Sequence, residues 1–134
     1  METVNQIEYN GALYNIQDAE AQKNLVYSQN EIDTGRIWID GKKIYRKVIN
    51  CGILPNNSIK KVPINITNIN EVINLIATAS SKTENLTLSL PFINRDGSNV
   101  TCYKQGDEII LGANVDGSYY ETCFVVLEYT KTTN

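Results

Sequence analysis

Cys51, Cys102 and Cys123 are the side chains of this 134-residue sequence best equipped for nucleophilic or metal chemistry. None stands in a CxxC spacing, and the chain contains no histidine. A thiol here lacks the imidazole that would hold it as a thiolate, and Ser-His-Asp catalysis, a His-ligated metal and a histidine base are excluded by composition. An odd number of widely spaced cysteines fits small buried hydrophobes better than a disulfide or a zinc site. Asp107 and Glu108 alternate to opposite faces of an extended segment, so they cannot act on one bond together. Gly41, Gly97, Gly106 and Gly117 punctuate turns and form no phosphate-binding loop. The expectation is a non-enzyme with no catalytic residue, no metal and no cofactor.

Residue types suited to binding occur in two places. Asn114, Asp116, Ser118, Tyr119 and Tyr120 have the composition of a recognition loop, in which Tyr supplies contact area and Ser and Asn supply adaptable hydrogen bonds. Ordinary hairpin loops share that composition. The second place is GRIWIDGKKIYRKVI (35–49), where Asp40-Gly41 separates two runs of β-branched and aromatic residues. Such a pair is a strong signal for a two-residue β-turn, because Gly accepts positive φ at no steric cost. With that turn Ile37 faces Ile44 and Arg36 faces Tyr45, which puts Arg36, Trp38, Lys43 and Tyr45 on one face and the isoleucines on the other. The amphipathic face suits a glycan platform, a subunit contact or plain solvated surface.

These residues need a scaffold, and the composition bounds it. A chain of this length with 42% hydrophobic residues makes one domain with one core. A net charge of −3 leaves no electrostatic footprint for nucleic acid or an anionic membrane. The apolar runs fall far short of the roughly 20 residues that cross a bilayer, and the polar start METVNQIEYN is no signal peptide. Synthesis and folding in a cytosol follow as the expectation. The Asn-x-Ser/Thr triplets at Asn56, Asn65, Asn85 and Asn99 are read as chance in an Asn-rich chain.

The chain divides into an N-terminal segment, 1–32, and a β-rich body, 33–134. In the first, Asn10-Gly11 signals another hairpin, and QDAEAQKNLVYSQ (17–29) is the one good helix former. Its apolar residues Ala21, Leu25 and Ile32 hint at a coiled-coil seam. A helix of that length is marginal alone, so Tyr9, Leu13, Tyr14, Ala21 and Leu25, with Trp38 and Tyr45, are candidate anchoring or trimer contacts. In the body, strands are expected near 60–64, 71–79, 86–90, 100–103, 108–111 and 119–130, the spacing of an antiparallel sandwich. Over 66–79 helical and strand periodicities compete, and the β-branched residues favour the strand. The last run carries apolar residues on both faces, which predicts a central strand covered on both sides.

The order YNGALYNIQDAEAQK (9–23), GRIWIDGKKIYRKVI with LPNN (54–57), and the terminal LEYTKTT (127–133) resembles the small fibre and receptor-binding proteins of tailed bacteriophages. Those often carry Pro after Gly-Lys, where this chain has Lys43. The resemblance implies a mainly β, antiparallel, jelly-roll-like β-sandwich knob preceded by a short hairpin and helix. It implies a homotrimer on the virion, as a head fibre, capsid decoration or tail-fibre tip. A phage capsid or tail protein would dock the N-terminal segment, and the body would adhere to a host-surface glycan. The chain would be made in the host bacterial cytoplasm, without nucleic-acid binding or membrane insertion. The alternative reading is a monomeric carbohydrate-binding module with no virion role.

Overall fold

A computed structural model describes residues 26–133. Its first hairpin joins β1 (Ile32–Ile37) to β2 (Lys43–Asn50). The Trp38 carbonyl accepts the Gly41 amide at 2.9 Å, and the Trp38 amide donates to the Lys42 carbonyl at 2.8 Å. Gly41 sits at φ 87°, open to a glycine and strained for other residues. These bonds make a three-residue loop, Ile39-Asp40-Gly41, in place of the expected two-residue turn.

One extra loop residue corrects the expected register. Ile37 faces Lys43 and Arg36 faces Ile44, and a bulge then sets Asp33 opposite Tyr45. Directly opposed residues share a face, so Arg36 goes with Ile44 while Lys43 and Tyr45 go to the other side. The predicted Arg36-Trp38-Lys43-Tyr45 face does not form. Tyr45 turns inward instead, stacking on Tyr129 with ring centroids 6.1 Å apart. Trp38 is half-buried at the hairpin end.

The remaining strands are β3 (Ile59–Pro63), β4 (Ile69–Ser81), β5 (Leu86–Leu90), β6 (Phe92–Ile93), β7 (Asn99–Gln105), β8 (Glu108–Ala113) and β9 (Thr122–Lys131). They form two antiparallel sheets, ordered β1-β2-β9-β4-β5 and β3-β8-β7-β6, packed as a sandwich. The described residues contain no helix. The ambiguous run is strand from Ile69 on, because its alternate residues Leu75, Ala77 and Ala79 lie opposite Leu127, Val125 and Cys123 of β9.

β9 is the middle of the larger sheet. Its inner row, Cys123, Val125, Leu127 and Tyr129, is fully buried and faces Ile109, Leu111 and Val100 of the other sheet within one core. The outer row differs from the expectation of cover on both sides. Val126 lies between Val48 of β2 and Ile76 of β4, and Ile76 is 55% and Phe124 40% exposed. The other end of that row is covered, since Thr130 and the neighbouring Arg46 are buried, so the open part of the outer face is the end at Phe124 and Ile76.

Residues 26–29, the end of the expected helix, are not helical. They run beside β2, where the Val48 amide donates to the Ser28 carbonyl at 2.9 Å. Ile32, taken for the last seam position, opens β1. The rest of the expected helix and the Asn10-Gly11 hairpin lie outside the described residues. Arg46, buried on the outer face, donates to the Val26 carbonyl at 2.6 Å, lies 3.5 Å from the Glu128 carboxylate and sits under the Tyr27 ring at 4.3 Å. Glu31 accepts the Tyr129 hydroxyl at 2.6 Å and pairs with Lys131 at 2.9 Å. Burial alone would raise the Glu31 pKa, but these two donors and the charge of Lys131 outweigh it and hold it below the usual value.

Two outcomes follow. Arg46→Ala removes the charge partner of the largely enclosed Glu128, which keeps, among the described residues, only the Asn74 amide at 2.8 Å, and should cost about 3 kcal/mol in urea unfolding. For Glu31 the folded-state pKa is the depressed one, so its stabilisation is complete above the ordinary value of 4.5 and is lost as pH falls through the folded-state value. Glu31→Gln should flatten that part of the acid-unfolding curve monitored by circular dichroism.

Candidate functional site

The chain between β8 and β9, residues 114–121, is a loop held by its own main chain. Gly117 donates to the Pro55 carbonyl at 3.0 Å, Asn57 to Val115 at 2.9 Å and Leu54 to Tyr120 at 3.2 Å, which stitches the loop to residues 54–57. A Cβ on Gly117 would lie 2.8 Å from the Pro55 oxygen, so this approach requires glycine. Asp116 Oδ1 accepts the Ser118 amide at 2.9 Å and the Ser118 hydroxyl at 2.6 Å. Those bonds, the hydroxyl first, hold the Asp116 carboxyl below its ordinary range.

The same turn is built a second time. Asp96 Oδ1 accepts the Ser98 amide at 2.9 Å and hydroxyl at 2.7 Å in the turn before β7. Two Asp-Gly-Ser turns, 96–98 and 116–118, therefore stand at one end of the sandwich. Asn114 ties them together: its Oδ1 accepts the Asn99 amide at 2.7 Å and its Nδ2 donates to the Gly97 carbonyl at 3.1 Å.

Between the turns lies a cavity of about 400 Å³. Leu88, Phe92 and Val100 give it an apolar floor, and Asn94, Ser98 and Asp116 add polar groups. Tyr119 and Tyr120 form one wall, with ring centroids 4.5 Å apart and planes tilted by 30°. Tyr119 is 53% exposed and Tyr120 6%. Burial first, then Tyr119, pushes the Tyr120 hydroxyl up to about 12. A concave site with an apolar floor, one exposed aromatic and a few convergent polar groups can hold a small ligand having one apolar face and several hydroxyls.

The predicted loop residues meet here unequally. Asp116, Tyr119 and Tyr120 line the cavity, Ser118 orients Asp116, and Asn114 braces the two turns. Trp38 and Tyr45 do not line it. Tyr9, Leu13, Tyr14, Ala21 and Leu25 lie outside the described residues. Sequence reasoning missed the opposite wall, Phe92, Asn94 and Ser98, although the repeated Asp-Gly-Ser triplet was a readable signal for it.

No family model matches the chain, and no curated protein or solved structure matches it significantly. The geometry therefore stands by itself. Gly117→Ala forces the loop off residues 54–57 and should lower stability by about 1–3 kcal/mol, read from thermal unfolding.

Proposed function

We propose that this chain is a structural protein of a tailed-bacteriophage virion, a homotrimeric fibre knob at head or tail that also adheres to host-surface glycans. One observation carries the reading. The outer face of the five-stranded sheet leaves Ile76 and Phe124 exposed beside the half-buried Val126 and Val48, an apolar patch across three strands. Burying such a patch between copies yields about 25 cal/mol per Å², and closed symmetric assembly is the common way to do it. The number three comes from the resemblance to phage fibres. Pairing of β2 with β9 and of β3 with β8 supports a jelly-roll-like wrap, although β5 lies beside β4 and β7 beside β8.

Adhesion rests on the cavity. Its Tyr119 face suits the apolar side of a pyranose ring, and Asn94, Ser98 and Asp116 suit hydroxyls. Three weak sites at fixed spacing gain avidity on a surface of repeated glycans. The same cavity also supports the second reading, a monomeric carbohydrate-binding module, since it lies within one chain.

Light scattering separates the two. The virion reading expects three times the 15.0 kDa chain mass, and Ile76→Lys with Phe124→Lys should give a folded monomer. A wild-type monomer that binds glycan would establish the second reading instead. Tyr119→Ala should leave the assembly mass unchanged and reduce adsorption to host cells at least tenfold. Because Glu31 and Ile32 belong to the body, deletion should stop at residue 25; the product should stay folded and fail to join particles.

A further inference from the structure

The three cysteines, scattered in the sequence, converge between the sheets. Cys51 follows β2, Cys123 lies in β9 and Cys102 lies in β7 of the opposite sheet. The β2–β9 register ends with Asn50 opposite Phe124, and its next pair is Cys51 and Cys123. The Cys51 amide donates to the Cys123 carbonyl at 2.7 Å, which confirms that pairing. Both side chains point inward, 3% and 0% exposed, and the Cys51 thiol reaches the Ile49 carbonyl at 3.9 Å. Directly opposed residues on antiparallel strands have Cα atoms about 4.5–5.5 Å apart, inside the range of about 4.4–6.8 Å that a disulfide spans.

We infer that Cys51 and Cys123 are a thiol pair that closes to a cross-strand disulfide when the chain meets a low-molecular-weight disulfide such as oxidised glutathione. The reagent reaches Cys51, which is 3% exposed, when the end of β2 opens locally; Cys51 then attacks one sulfur of the reagent, forming a mixed disulfide and expelling one thiolate. Cys123 then gives its proton to the first released thiolate as its sulfur attacks the Cys51 sulfur, breaks the mixed bond and expels the second thiolate. Two electrons pass from the cysteines to the reagent, and their two protons end on the two released thiols.

The surroundings set the roles. Lys60 Nζ donates to the carbonyls of Cys51 and Ile53, each at 2.7 Å, and brings its positive charge beside Cys51. The neighbouring Cys123 first, and the charge of Lys60 after it, favour the Cys51 thiolate against burial. The other two thiols are raised: burial first, then Cys51, pushes Cys102 up to about 12, and Cys51 first, then burial, raises Cys123 as well. Closure welds the end of β2 to the start of β9, where residues 54–57 carry the lip of the cavity. This inference does not depend on the virion reading.

The test uses the purified, reduced full chain in native buffer with oxidised glutathione, followed by denaturing alkylation and peptide mapping by mass spectrometry. Alkylatable thiols should fall from three to one, with a linked peptide pair containing Cys51 and Cys123. Cys102→Ser should form the same link, and Cys51→Ser should abolish it. Three thiols remaining, a glutathione adduct without an internal link, a link through Cys102 or a link between chains would each overturn the assignment. The wild-type map decides even if Cys51→Ser fails to fold.

Discussion

Full burial of one row of β9 is the constraint on which the rest of the structure depends. Cys123, Val125, Leu127 and Tyr129 have no contact with solvent, and β2 and β4 satisfy the main chain of the strand on both sides. A one-residue slip would carry that row to the outside and bring Phe124, Val126 and Glu128 into the core. The register of β9 thus fixes which residues of its neighbours face inward. It also places the two features at its ends. Tyr119 and Tyr120 lead into its first residue, and Tyr129 and Lys131 hold Glu31 at its last turn.

Much of this was legible because alternation is a local property. Leu86, Leu88 and Leu90, or the alternate residues of 122–131, state which face is apolar without reference to any partner. The β1–β2 hairpin shows the limit. Asp40-Gly41 marked a turn correctly, but the choice between a two- and a three-residue loop depends on whether Ile39 pairs, and that choice moved Tyr45 from an expected surface to the core. Residues 26–31 were harder still. Their place beside β2 depends on Arg46 and Tyr129, which are distant in sequence and advertise no interest in a carbonyl or a carboxylate.

The asparagines show a related point. Asn65 and Asn85, which open glycosylation-like triplets, hold φ of 57° and 52°. Asn tolerates this left-handed conformation better than other residues with a Cβ, so backbone geometry accounts for these two triplets. Convergence of the three cysteines, and of the two Asp-Gly-Ser turns, was not legible because spacing along the chain says nothing about neighbours across a sandwich. Only the β2–β9 register and the shared end of the sheets bring them together.

The lip formed by residues 54–57 and 114–120 is closed by main-chain hydrogen bonds, and its side chains carry little of that closure. Gly117, by its lack of a Cβ, Asp116, by its grip on Ser118, and Asn114, by its bonds to Gly97 and Asn99, are tied to the shape of the loop. Positions 115 and 119 can therefore exchange side chains while the backbone that presents them keeps its form. Such a rim can be refitted to a new target one residue at a time, with the scaffold beneath left untouched.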